Sequence, residues 1–154
     1  MISVSYSESR SYILYPFNNC SVEEILEKSV HSIFDKTCRC CDTITKHEEL
    51  LTFEHPPEIL VFIISRFNSN MVNDKNRDGV KVSEVINVSS CSYRRIGSIH
   101  HHGTTISSGH YTSNVWYPDA AFLCNDTQIL PLNGLTVSDS VYMIFYSRND
   151  TYIS

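Results

Sequence analysis

The stretch "ILVFII", residues 59 to 64, lies just behind the paired prolines of "EHPPE" and is the longest apolar run in the chain. Six apolar residues in a row, rich in β-branched types and fenced by turn formers, predict a central strand of a sheet. The rest of the sequence supplies neighbours for it. "SVSYSESRSYILYPF" alternates enough for a strand or hairpin, and "KVSEVINVSS", "YRRIGSIHHHG", "GHYTSNVW", "AFLCND", "TQILPL" and "SVYMIFY" follow as short strand-like segments. Nine Tyr and seven Phe in 154 residues lean the same way. One helix is expected, over "SVEEILEKSVHSIF". Ser21 and Glu24 form a capping box, and Val22, Ile25, Leu26, Val30 and Ile33 form its apolar stripe. Residues 68 to 80, "NSNMVNDKNRDGV", read as an exposed loop. The prediction is one compact α+β domain with a mostly antiparallel sheet of about eight strands.

Charge and composition remove several classes. The formal net charge is -5 with no basic stripe, which argues against nucleic-acid binding. No apolar window reaches the ~18 residues needed to cross a bilayer, so no membrane partner is expected. The first ten residues show no signal-peptide pattern. The Asn-x-Ser/Thr triplets at Asn19, Asn87, Asn125 and Asn149 are therefore expected to be chance. Three of the six cysteines crowd into "CRCC", unlike a disulfide framework, and an intracellular setting, cytoplasm or nucleus, fits best.

The chemistry is expected at "GHYTSNVWYPDAAFLCND". Read as a hairpin turning at "YPDA", with Trp116 opposite Asp119, it sets His110 opposite Asn125; a slip or bulge sets it opposite Asp126. Opposed side chains on one face lie ~4.5–5.5 Å apart at Cβ, within reach of a hydrogen bond. An imidazole oriented by an amide or carboxylate is the base half of a thiol-hydrolase triad. Gly109, lacking a Cβ, is expected to let a substrate backbone pass close to the histidine. The "HHH" run is also a compositional metal tract, in which His100 and His102 would share a strand face that His101 does not.

"YRRIGSIHHHGTTISSGHYTSNVW", then "CND", then "VYMIFY" resemble the histidine box and closing strands of the ubiquitin-specific proteases. The matching positions are Tyr93, His101, Gly103, Gly109, His110, Tyr111, Asn125, Asp126, Tyr142 and Tyr146, and upstream "PPEILVFIISRF" resembles the family strand ending at Arg66 and Phe67. The resemblance implies a papain-like fold, with fingers over about residues 1–55, palm over about 56–148 and a tail at 149–154. It implies hydrolysis of the bond after the C-terminal glycine of ubiquitin, with ubiquitin and ubiquitinated proteins as partners. His110 would be the general base, Asn125 its orienting residue, and Asp126 an assisting neighbour. His101, Gly103, Gly109 and Tyr111 would line the channel for the ubiquitin tail.

Two family features have no full counterpart. The nucleophile motif, of the kind Gly-Asn-Thr-Cys-Tyr, is absent from these 154 residues. Cys20 precedes the fingers helix, Cys124 should face away from His110, and Cys91 has no base beside it. The chain is thus expected to be a histidine-box half, inactive alone, with a ubiquitin-binding pseudoenzyme as the alternative. The family's structural zinc takes two Cys-x-x-Cys pairs, and only Cys38 and Cys41 supply one.

Overall fold

The computed structural model describes residues 11–50, 53, 55–67, 75–134 and 137–149. Strand β1 (Ser11–Leu14) leads to helix α1 (Val22–Val30) and a hairpin of β2 (His31–Thr37) and β3 (Ile44–Leu50). Then come β4 (Ile59–Ile64), β5 (Val80–Lys81), β6 (Val85–Val88), β7 (Cys91–His102) and β8 (His110–Trp116). The last are β9 (Ala121–Asn125), β10 (Gln128–Pro131), β11 (Val137–Ser138) and β12 (Val141–Arg148). The main sheet runs β1-β4-β12-β7-β8-β9-β10, with β6 on the lower part of β7. All its pairs are antiparallel except β1 with β4.

The "ILVFII" run is β4, held between β1 and β12. Leu60, Phe62 and Ile64 are fully buried, whereas Val61 and Ile63 on the other face are half-buried. The buried face meets α1 through Val22, Ile25 and Leu26, together with Tyr93, Ile144 and Tyr146 from the sheet. Each large aliphatic or aromatic group there contributes about 1.5–3 kcal/mol by leaving water.

The start of the helix follows the expected capping box. Ser21 Oγ accepts from the Glu24 backbone N–H at 3.3 Å, and Glu24 Oε2 accepts from the Ser21 N–H at 2.6 Å. Its end does not follow expectation. The helix stops at Val30, and the next seven residues are β2, pairing rung for rung with Ile44–Leu50. Ile33, assigned above to the helical stripe, is 63 % exposed on that hairpin. Helical periodicity there is overridden by pairing with a segment thirteen or more residues away, which no local pattern encodes. "KVSEVINVSS" likewise divides: β5 pairs with β11, and β6 pairs with β7.

One irregularity decides which way the histidines point. Along β12, Tyr146 pairs with Arg95 while Phe145 pairs with Gly97, leaving Ile96 as an extra residue. Such a bulge reverses the alternation beyond it. Ser98 pairs with Ile144, so Ser98 and His100 continue on the same core face as Tyr93 and Arg95. His101 is turned to the opposite face.

Candidate functional site

β8 and β9 form the expected hairpin with a shifted register. Trp116 pairs with Ala121, not Asp119, and Ser113 with Cys124, because the turn uses Tyr117 to Ala120, closed by the Tyr117 N–H on the Ala120 carbonyl at 2.8 Å. His110 and Asn125 are thus diagonal neighbours. The shift is two residues, and two residues is one full side-chain period, so both stay on the same face. His110 Nε2 lies 2.6 Å from Asn125 Oδ1. An amide oxygen only accepts, so this bond places the proton on Nε2 and leaves a lone pair on Nδ1. Asp126 begins the tight turn into β10 with φ 50, and among the described residues it makes no bond to His110. Cys124 pairs with Ser113, on the face opposite to His110.

His110 opens one end of a groove of about 510 Å³. His102 lies directly across the ladder from it, and beyond His102 is His100. The three rings form a row, with centroids 6.4 and 6.3 Å apart and interplanar angles of 30° and 13°. Within the row the environments differ. His100 is buried and fully bonded: Nδ1 meets Ser140 Oγ at 3.1 Å and Ser138 Oγ at 3.3 Å, while Nε2 meets Ser98 Oγ at 2.9 Å and Asn114 Nδ2 at 3.0 Å. Burial, helped by the charges His102 and Arg66 can carry, pushes His100 down to about 4, so it is neutral near pH 7. His102 is exposed, with Nε2 2.8 Å from Thr112 Oγ1. Among the described residues, no cysteine and no carboxylate lines the groove. The site therefore holds an imidazole positioned by an amide, with no thiol among the described lining residues.

The residues expected to line a channel divide. Tyr111 is 53 % exposed at the loop's edge. His101 is only 2 % exposed, packed among Phe67, Tyr111 and Tyr142, so it supports the loop from beneath and does not line its surface. Its burial, with the Lys75 charge, holds its imidazole below the usual range. Gly109 is needed for a different reason from the one its sequence context suggested. A Cβ there would fall 2.2 Å from His101 Nε2. At Gly103 a Cβ would fall 2.6 Å from the Ser108 carbonyl, so the loop closes on itself at that point. Lys75 clamps the loop's start, donating to the His101 carbonyl at 2.7 Å and the Gly103 carbonyl at 3.0 Å. Lys75, His102, Ser138 and Ser140 went unassigned as site residues by sequence reasoning. The two serines lie some 40 positions from His100, and nothing local marks them.

Cys38 and Cys41 sit at the β2–β3 tip, closed by the Cys38 N–H on the Thr43 carbonyl at 2.8 Å. The Cys40 and Cys41 backbone N–H groups hold the Cys38 thiol below the usual range. A structural zinc needs four ligands. Among the described residues no three His, Cys, Asp or Glu side chains gather to hold a metal. Nor, among the described residues, is any helix long and apolar enough to cross a membrane.

A papain-like sheet that sets an Asn-bonded histidine at the start of a hairpin has the layout of the histidine side of a thiol hydrolase. Residues 16–146 match the family described as ubiquitin carboxyl-terminal hydrolase, and the chain belongs to that family, as a member of its ubiquitin-specific protease branch. Ubiquitin carboxyl-terminal hydrolase 44-A of Xenopus laevis is 25 % identical over 155 residues, which span 86 % of this chain and 22 % of that protein. A chain of the yeast SAGA DUB module is similar in fold, with TM-score 0.74 and 22 % identity, over 89 % of this chain and 34 % of that one. The SAGA Ubp8/Sgf11/Sus1/Sgf73 DUB module bound to ubiquitin aldehyde gives 0.69 and 20 %, over 89 % and 35 %. This chain thus spans about a fifth of the frog protein and a third of the solved chains.

Proposed function

We propose that this chain provides the base side of a deubiquitinating site. His110 accepts a thiol proton at Nδ1, Asn125 fixes the ring, and the groove beside them receives the C-terminal tail of ubiquitin. The observation that carries this reading is the 2.6 Å bond from His110 Nε2 to Asn125 Oδ1, which holds the tautomer a thiol-activating base requires. The relatives named above, ubiquitin hydrolases by name and in one case bound to ubiquitin aldehyde, support the substrate class. Because no cysteine lines the groove, the nucleophile is supplied from elsewhere, and the six cysteines of this chain are not it. In the complete reaction the thiolate attacks the carbonyl carbon of the terminal glycine, the imidazolium gives its proton to the leaving amine, and water then cleaves the thioester to free the thiol.

Three measurements test this. Titrating labelled ubiquitin with the chain should shift resonances of the C-terminal tail; a spectrum unchanged at high concentration would refute the substrate assignment. A ubiquitin probe with a C-terminal thiol-reactive group should leave all six cysteines unlabelled. Labelling would identify a nucleophile within the chain. Asn125→Ala should release the His110 tautomer, seen as a changed imidazole nitrogen spectrum while the fold is retained. That absence of a nucleophile also favours a second reading, a ubiquitin-binding module without hydrolysis. It predicts the same tail shifts but no turnover in the presence of any candidate thiol donor.

A further inference from the structure

The β2–β3 ladder ends at Thr37 and Ile44, and the connection between them holds Cys38, Cys40 and Cys41. We propose that Cys38 and Cys41 form a redox-active dithiol that closes to a disulfide by exchange with small disulfides of the glutathione class.

Three observations carry it. First, the turn selects the pair. The Asp42 N–H bonds the Cys38 carbonyl at 2.9 Å, and the left-handed φ of 54 at Asp42 ends this single helical turn. On such a turn residues three apart face each other with Cβ atoms ~5–6 Å apart, and residues one or two apart do not. A disulfide needs Cβ atoms ~3.5–4.5 Å apart, so a movement of about 1–2 Å closes Cys38 on Cys41. The same geometry disfavours either pairing of Cys40. Second, the two sulfurs already interact. The Cys38 sulfur is bonded by the backbone N–H groups of Cys40 and Cys41 and by the Cys41 thiol, with the weakest bond from the Cys40 thiol. Cys41 Sγ is steadied in turn by Thr43 Oγ1 at 2.9 Å. Third, the tip is accessible and the other thiols stand apart. Cys38 is half-buried and Cys41 exposed, and both are free. Cys20 is buried, Cys91 lies opposite Val88, and Cys124 lies between Ser113 and Ile129.

The exchange runs in two steps. The Cys38 thiolate, stabilised by its two N–H donors, attacks one sulfur of the small disulfide; a mixed disulfide forms and one thiolate of the reagent leaves. Cys41 then loses its proton and attacks the Cys38 sulfur, forming the Cys38–Cys41 bond and expelling the second thiolate. Two electrons and two protons pass to the reagent, which ends as two thiols. Nothing in this rests on His110 or on ubiquitin.

The test uses the full chain, reduced, freed of metal with a chelator and equilibrated with mixtures of reduced and oxidised glutathione. Remaining thiols are alkylated and the peptides weighed. The peptide carrying residues 38–41 should lose two hydrogens while Cys20, Cys91 and Cys124 stay alkylated. Cys40→Ser should close like wild type, and Cys41→Ser should stop with glutathione on Cys38. Because the turn holds the thiols together, the equilibrium constant should be about tenfold or more above that of the same chain in concentrated urea. A tip that stays reduced throughout, closure lost in Cys40→Ser, glutathione trapped away from Cys38, or equal constants in buffer and urea would each overturn the proposal.

Discussion

Arg66 is 1 % exposed, yet it is a cation, and among the described residues no carboxylate forms an ion pair with it. Its guanidinium donates from Nε to the Val141 carbonyl at 3.0 Å, from Nη1 to the Asn76 carbonyl at 3.2 Å and to that of Asp78, and from Nη2 to the Ser138 carbonyl at 3.1 Å. Burial lowers its pKa, and the charges of Asp139 and Asp78 oppose that shift. Charge-assisted bonds contribute about 1.5–3 kcal/mol each, so four give roughly 6–12 kcal/mol gross. Desolvating the ion costs several kcal/mol in return. Arg66→Met removes the donors while leaving the carbonyls buried, and the expected loss is about 3–5 kcal/mol. Against a typical stability of about 5–15 kcal/mol, that leaves a marginal protein. Arg66→Lys keeps the charge but not the fork and should lose an intermediate amount. Urea unfolding, followed by circular dichroism and Trp116 fluorescence, measures both. The Asn76 N–H also returns to the Arg66 carbonyl at 2.7 Å, next to Lys75, so the variant should speed amide exchange in the loop Lys75 clamps. Arg66→Met within about 1 kcal/mol of wild type would refute the reasoning, because water would then be satisfying the four carbonyls.

Three further outcomes are expected. Gly109→Ala should lower thermal stability by about 1–3 kcal/mol, because its methyl group meets the buried His101 ring, whereas Gly97→Ala, whose nearest neighbour is 3.6 Å away, should be tolerated. Tyr93→Phe should cost about 1–2 kcal/mol in chemical unfolding, since its buried hydroxyl donates to the Pro57 carbonyl at 2.6 Å. Glu24 is held below the usual carboxylate range by the Ser21 backbone N–H and then the Ser21 hydroxyl, so its capping contribution is complete above the unfolded pKa of about 4.3 and fades as pH falls through the lower folded value. Unfolding curves of wild type and Glu24→Gln should therefore differ at pH 7 and converge in acid.

What could be read from the sequence was local or period-bound. The pairing of His110 with Asn125 survived a register error because the error was two residues, and strand faces repeat every two. The capping box was legible because both partners lie within four residues. The end of α1 was not, since β2 exists only by pairing with Ile44–Leu50. The polar seat of His100 was hidden for the same reason, as it is assembled from β7, β8, β11 and Ser140. The cysteine pair at the hairpin tip was visible as a motif, but a motif does not report whether its partners are near.

The extra residue at Ile96 works as a frameshift in side-chain orientation. Upstream of it the core face is read at odd positions and downstream at even ones, which is why Tyr93 and Arg95 share a face with Ser98 and His100. Deleting Ile96 would let Gly97 follow Arg95 in regular alternation, so the pairing with β12 and the faces of the three histidines would both be kept. The bulge is thus slack in the strand: it takes up one residue of β7 without moving an imidazole of the groove.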